Sequence, residues 1–312
     1  MTDGNGFLSA RLLVVAFEGW NDAGEAATGA VRALKDLLDV AEIAEVDPEV
    51  YFDYQFNRPT ISTNEDGLRV IEWPRAVMYG PTTPGTGGVP LAEDADLKVS
   101  GANAGNIYLL LGTEPSRSWK SFASEVLDAA LAADVSAIVF LGAMLADVPH
   151  TRPISIFVSS DNPQVRAELE IERSNYEGPV GILSILSEGA EKLGIPTLSI
   201  WASVPHYVHN APSPKALLAL IDKLEEVIDV VIPRGDLVAE AAEWESGIDA
   251  LAAEDEEMAA YIAQLEQARD TVDSPEASGE AIAQEFERYL RKRGDARDGW
   301  ADGRQGPDGP RS

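Results

Sequence analysis

The chain contains no cysteine, only three histidines, and 24 basic residues among 312. Without cysteine there can be no disulfide, no thiolate metal site and no cysteine nucleophile, which fits a cytoplasmic protein. No apolar run approaches the ~20 residues needed to span a bilayer. The opening Met1-Thr-Asp-Gly-Asn-Gly6 lacks the basic region and apolar stretch of a secretion signal. There is no G-x-S-x-G elbow for a serine hydrolase and no H-x-x-x-H or H-E-x-x-H spacing for a metal. No cofactor or metal is implied.

What dominates is acid. There are 53 acidic residues, for a net charge of -29. Nucleic-acid binding draws most of its affinity from neutralising phosphates, so this balance excludes nucleic acid and anionic membranes as partners. Solubility in a crowded cytoplasm is the simple reading, and a partner with a basic surface is the sharper one. Hydrophobic residues at 45% and charged residues at 25% are ordinary globular values, and the length suits one large domain with an appendage.

The organising stretch is Arg11-Leu-Leu-Val-Val-Ala-Phe-Glu-Gly-Trp-Asn-Asp-Ala-Gly24. Leu12 to Phe17 has the length and composition of a strand buried on both faces. It breaks at Glu18-Gly19, and Asn21 or Asp22 is placed to cap a helix. That helix carries Ala26, Ala27, Ala30, Val31, Leu34, Leu37 and Leu38 at spacings of three and four. The turn lies at the carboxyl end of a strand, where α/β folds keep their ligands. It lacks both the Lys-Ser/Thr of a phosphate loop and the G-x-G-x-x-G spacing. Backbone N–H groups there could hold an anion, which Asp22 would oppose; the alternative is a tight turn and cap.

Further along, Val40 to Tyr54 mixes strand-like pieces with Pro48. Pro59–Thr63 and Arg69–Tyr79 read as short strands around the hairpin signal Asn64-Glu-Asp-Gly67. Residues 80–105, rich in Gly and Pro, read as an insertion or loop over the site. Strands are expected at Asn106–Gly112, Val135–Leu141, Ile154–Ser159 and Leu198–Val204, with a strand-to-helix transition in Val180–Leu193. Helices are expected around Trp119–Ala130, after Asp161-Asn-Pro163 and after Ser213-Pro214. The alternation predicts a mainly parallel central sheet covered on both faces.

From Asp236 onward there are 20 acidic and 8 basic residues and no strand candidate. Leu237, Ala241, Trp244, Ile248, Leu251, Asp255, Met258, Ile262 and Leu265 form a heptad seam with one polar break. Ile282, Phe286, Tyr289 and Leu290 give a second apolar face. Expected boundaries are a core at 1–234, a helical hairpin at 235–293, and a disordered tail at 294–312. The seam and Trp244 need an apolar partner, so a homo-oligomer is expected.

Candidate site residues all follow strands. Glu18 and Glu114 could face each other as paired carboxylates, or bond loop N–H groups or an arginine such as Arg117 or Arg152. His150 and Arg152 could line a polar pocket, and His206, Tyr207 and His209 follow the last strand. Trp119 reads as an apolar anchor or a base-stacking ring. Ser184, Ser187 and Glu188 offer polar groups without a hydrolase motif. The candidate pocket is therefore Glu18, Asn21, Asp22, Glu114, His150 and Arg152.

Ala16-Phe-Glu-Gly-Trp-Asn-Asp-Ala-Gly24 and its Ala-rich helix resemble the signature of the proteasome assembly chaperone 2 family, in its actinobacterial-looking form. Gly112-Thr-Glu-Pro115 with Trp119, Gly142-Ala-Met144 leading to Pro149-His-Thr-Arg-Pro153, and Trp201-Ala-Ser-Val-Pro-His-Tyr207 extend the resemblance over roughly residues 8–232. It implies an α/β three-layer sandwich resembling the nucleoside phosphorylase fold, and a protein-interaction or assembly scaffold with proteasome-related partners. Some relatives end in a hydrophobic residue, a Tyr and one further residue that dock into proteasome pockets; this chain ends Gly309-Pro-Arg-Ser312 and lacks that anchor. The alternative is a small-molecule (nucleoside- or carboxylate-type) binder or enzyme using the strand-end pocket.

Overall fold

Leu12–Glu18 forms β1, the middle of the architecture, and its side chains are buried as far as Phe17. The computed structural model describes residues 7, 11–64, 66–82, 98–101, 103–208 and 211–273. After β1 come α1 (Ala26–Leu37), β2 (Val40–Glu45), α2 (Pro48–Tyr51), β3 (Thr60–Thr63), β4 (Arg69–Glu72) and β5 (Ala76–Pro81). The chain continues through β6 (Ile107–Thr113), α3 (Trp119–Ala132), β7 (Ala137–Ala146), β8 (Ile156–Ser159), α4 (Pro163–Leu169) and α5 (Ile182–Lys192). It closes with β9 (Thr197–Pro205), α6 (Pro214–Ile228), α7 (Leu237–Glu254) and α8 (Glu256–Asp273).

Seven strands make one sheet in the order β2-β5-β6-β1-β7-β9-β8. The central four, β6-β1-β7-β9, run parallel, and antiparallel strands flank them at both edges. Side chains alternate along β1, so each face feeds its own core. Leu12, Val14 and Ala16 pack with Val31 and Leu34 of α1 and Leu220 and Leu224 of α6. Leu13, Val15 and Phe17 pack with Phe122 of α3 and Leu183 and Leu186 of α5. Phe17 meets Phe122 edge to face with ring centroids 5.7 Å apart. Each such fully buried ring contributes ~1.5–3 kcal/mol. The expected three-layer, mainly parallel α/β sandwich is the observed one.

Several local expectations change. Pro48 does not interrupt a strand: it opens α2, whose start Asp47 caps through the Glu49 N–H at 3.0 Å. Arg69–Tyr79 is two strands, β4 and β5, because Pro74 cannot donate to a ladder. Val180–Leu193 holds no strand, and α5 starts at Ile182. Gly67 does sit in the hairpin turn, with φ 76°, between β3 and β4, which form a separate two-stranded sheet. Of the expected loop at 80–105, residues 83–97 and 102 lie outside the described residues.

The chain divides into two compact units, Met1–Glu254 and Asp255–Ser312. The expected boundary near 234 differs because α7 belongs to the first unit. There Ala241, Ile248 and Ala252 are buried, and Arg234 ties the approach to α7 to Asp222 and Glu225 of α6. The polar break in the seam, Asp255, caps a new helix by accepting from the N–H groups of Glu257 and Met258 at 2.9 and 3.1 Å. The helix expected around Ile282–Leu290 and the tail from 294 lie outside the described residues.

Candidate functional site

The turn after β1 is shaped by two glycines with positive φ, Gly19 at 112° and Gly24 at 61°. At Gly24 a Cβ would meet the Ser213 Cβ at 2.8 Å, and the Ser213 N–H donates to the Gly24 carbonyl at 2.8 Å. Only glycine tolerates both the backbone and the contact. Asp22 is buried, and its Oδ1 accepts from the N–H groups of Ala27 and Thr28 at 2.8 and 3.1 Å. Its Oδ2 accepts from the Thr28 hydroxyl. Burial pushes the Asp22 carboxyl above its ordinary range, while the Thr28 and Ala27 hydrogen bonds pull the other way. The N–H groups that open α1, which would otherwise hold an anion, are thus taken by a carboxylate of the chain itself.

Asn21 is buried beside it. Its Nδ2 donates to Glu114 Oε1 at 3.0 Å, and its carbonyl accepts from the Ala143 N–H at 2.8 Å, stitching the turn to β7. Glu114 Oε1 also accepts from the Ile182 N–H at 2.8 Å, where α5 begins. Gly181 precedes that helix because any Cβ would lie 2.3 Å from Asn21 Oδ1.

Although β1 and β6 are neighbours, Glu18 and Glu114 turn to opposite sides. Glu18 pairs with Arg32 on α1 and accepts from the Thr113 hydroxyl at 3.0 Å. Its arginine is Arg32, not Arg117 or Arg152. Arg117 instead donates to the carbonyls of Glu49, Val50 and Phe52 at the end of α2.

His150 belongs to a second cluster. It is fully buried, its N–H donates to Tyr207 Oη at 2.7 Å, and its Nδ1 lies 2.9 Å from the same oxygen. Nε2 lies 3.0 Å from Asp249 Oδ1 on α7. One proton arrangement satisfies every group: Tyr207 donates to Nδ1, and Nε2–H donates to Asp249. Lys215 donates to the His150 carbonyl at 2.5 Å and pairs with Glu245, also on α7. The Trp244 ring stands edge-on to His150 at 6.4 Å. The cluster is a latch for α7.

Arg152 Nη1 lies 3.4 Å from Thr151 Oγ1. His206 Nδ1 is 3.3 Å from Asp147 Oδ1, and His209 lies outside the described residues. Among the described residues no group of three or more His, Cys, Asp or Glu could hold a metal. Trp119 anchors α3, donating to the Pro115 carbonyl at 2.6 Å and packing against the α3–α5 core. Ser187 Oγ lies 3.0 Å from Thr197 Oγ1, and Glu188 pairs with Lys192. No described helix is long and apolar enough to cross a membrane.

A cleft of about 1570 Å³ runs between α5, the edge strand β8 and residues 172–181. Trp201, Phe157, Met144, Tyr176 and Val180 supply apolar lining, and the turn supplies Trp20, Asn21 and Asp22. Of the six expected pocket residues, Asn21 and Asp22 line this cleft and Glu114 braces Asn21. Glu18 faces α1, and His150 sits under α7. Sequence reasoning missed Thr28, Arg32, Gly181, Lys215, Glu245 and Asp249. Thr28 and Arg32 were within reach, since they lie one helical turn apart on the helix that Asp22 was expected to cap.

Fold and site together define a three-layer α/β protein whose central strand ends in a Glu-Gly-Trp-Asn-Asp turn capped by its own carboxylate. The chain belongs to the PAC2 family, whose profile matches residues 16–252. It is 40% identical to a PAC2 family protein from Streptomyces avermitilis, with a TM-score of 0.67, over 80% of this chain and 98% of that one. It is 37% identical to a proteasome-assembly chaperone homologue from Mycobacterium tuberculosis, with a TM-score of 0.66, over 80% and 99% of the two chains. A Mycobacterium tuberculosis protein of unknown function is 26% identical, with a TM-score of 0.69, over 89% and 86%. No curated protein matches the chain.

Proposed function

We propose that this protein is a cytoplasmic assembly scaffold that binds protein partners, proteasome-related ones among them, and also associates with itself. One observation carries the reading. At the strand-end turn, where such folds hold a ligand, Asp22 already occupies the helix N–H groups of Ala27 and Thr28. Glu114 is likewise engaged by Asn21 and the Ile182 N–H. Large apolar side chains meanwhile stand at the surface, Phe56 at 83% and Trp20 at 64% exposure among them, which suits protein contacts. The likeness to a proteasome-assembly chaperone homologue supports a proteasome-related partner.

The test pairs two measurements on the purified protein. Native mass spectrometry with unassembled proteasome core subunits should show a complex of fixed stoichiometry. A thermal-shift panel of nucleosides, phosphate, carboxylates and metal ions should leave the melting temperature unchanged. A true ligand at 100 times its dissociation constant would stabilise by ~2.7 kcal/mol. A strong shift with one small molecule and no subunit complex overturns the scaffold in favour of a small-molecule binder.

A further inference from the structure

One edge of the sheet is β8, and that edge opens on the cleft. The Ser203 N–H donates to the Ser155 carbonyl at 3.0 Å, and in this register Phe157 and Ser159 exchange their bonds with β9. The N–H and C=O groups of the alternate residues, Ile156 and Val158, therefore point away from β9. Farther along, a bridge joins Ser159 to Glu172, and the Ser160 N–H donates to the Glu172 carbonyl at 3.4 Å, which closes that end. Among the described residues, the Ile156 N–H, the Ile156 carbonyl and the Val158 N–H have no hydrogen-bond partner. Open groups along a strand edge are a template for one more strand.

The cleft beside this edge selects the side chains such a strand would carry. Phe157 and Tyr176, both more than half exposed, stand with Trp201 in its lining and offer apolar contact. Its two basic side chains are already held by acids of the same cleft, Arg173 by Asp161 and Lys192 by Glu188. Glu172 and Glu191 also line it. Glu172 has no ion pair among the described residues, and Glu191 accepts from neutral donors, Asn162 Nδ2 and the N–H and hydroxyl of Thr197. Two carboxylates are thus left for a cation from outside. A second copy's β8 would bring the same acids face to face, so the charge favours a different chain.

We propose that the β8 edge docks an extended segment of a partner protein, with lysine or arginine alternating with apolar residues, which adds to the sheet as a further strand. Ile156 and Val158 hold its main chain through their three open groups. Its apolar side chains lie beside Phe157, and its basic ones reach Glu172 and Glu191. The docking rests on the protein-binding role proposed above and gives that role a chemistry: partners are chosen by an extended basic segment, whatever complex they belong to.

Fluorescence anisotropy of the purified full-length protein with labelled heptapeptides tests this with no proteasome subunit present. A peptide alternating lysine and valine should bind saturably at one to one, and its counterpart with glutamate for lysine should not bind. Two further peptides carry methyl groups on the backbone nitrogens of either the valines or the lysines and keep every charge. The one whose methyls face β8 should bind about tenfold more weakly. Val158→Pro removes an outward N–H and no bond to β9, at an edge position where proline is tolerated, and should cost the same about tenfold. If Val158→Pro fails to fold, Glu172→Gln with Glu191→Gln keeps both acceptors and should weaken the lysine peptide about fivefold, at low salt only. No binding of the lysine peptide, equal binding of the glutamate peptide, or undiminished binding of both methylated peptides overturns the proposal. A dimeric wild type that Val158→Pro renders monomeric places a second copy on the edge and overturns it too. Because subunits are absent, failure here leaves the scaffold role to its own mass-spectrometry test, and a missing subunit complex leaves the β8 edge standing.

Discussion

Two polar clusters sit at carboxyl ends of the parallel strands, and they are built in opposite ways. Around Asn21, Asp22 and Glu114, every tie runs between elements of the sandwich: the turn after β1, β6, β7 and the first turns of α1 and α5. Around His150, half of the partners come from one late helix. Asp249 and Glu245 both reside on α7, while Tyr207 and Lys215 belong to the body. The first cluster fixes the geometry of the sheet's central crevice. The second fastens a helix that follows the last strand by more than 30 residues. A buried polar group therefore does not by itself mark chemistry; its partners tell whether it closes a core or docks an element.

The comparison is broken most severely at Asp22. Asp22→Ala removes the acceptor for two backbone N–H groups and a hydroxyl, all buried. Leaving such donors unpaired costs ~1–3 kcal/mol each, moderated where water reaches them. A loss of about 3 kcal/mol is expected, read as a fall in the urea midpoint at unchanged slope. Because the turn is tied to β6, β7 and α5, the loss should be global, appearing equally by fluorescence and by circular dichroism.

His150→Ala should give a smaller and more local effect. It removes the ring that bridges Tyr207 to Asp249 but leaves Lys215–Glu245 and the buried Ile248 in place. A loss of about 2 kcal/mol is expected, equivalent to a roughly 30-fold rise in hydrogen exchange confined to residues 237–254. Asp249→Asn keeps an acceptor and an exposed position, so its change should be within about 0.5 kcal/mol. Uniform loss across β1, β6 and β7 after His150→Ala would show that the second cluster is as much a part of the core as the first.

The elements at both clusters were legible in the sequence, but most of the contacts were not. Leu12 to Phe17 announces a buried strand because six apolar residues leave no solvent face, and the two glycines announce the turn. Asp22 as a cap was readable for the same reason. The pairing of Asn21 with Glu114 spans 93 residues, and His150 with Asp249 spans 99. Nothing local specifies such distances. Asp249 is also one of many acids on an acidic helix, so its role depends on which helical face meets the body. Of the two alternatives for Glu18 and Glu114, facing each other or bonding loop N–H groups and an arginine, the pleat excludes the first. Glu18 continues the Leu12–Ala16 side of β1, toward α1, whereas Glu114 follows the side of Tyr108 and Leu110, toward α5.

The finest test of the first cluster is its response to pH. Burial holds the Asp22 carboxyl above its ordinary value of 3.8, against the pull of its Thr28 and Ala27 bonds. The folded chain therefore binds this proton more tightly than the unfolded chain does. By linkage, the stability contributed through Asp22 is fully present below 3.8 and declines as pH rises through the raised folded value. Above that value the difference between the two states stays constant. Asp22→Asn keeps Oδ1 as an acceptor and cannot titrate, so the slope assigned to this one group should vanish from its stability profile. Asp249→Asn should leave the same slope intact, since it leaves Asp22 and its three donors in place. Stability profiles of the wild type and both variants, taken by urea unfolding from pH 3 upward, separate the two cases. If Asp22→Asn and the wild type run parallel throughout, the Asp22 carboxyl binds its proton equally tightly in the folded and unfolded chains. In that event the hydrogen bonds from Thr28 and Ala27 balance burial.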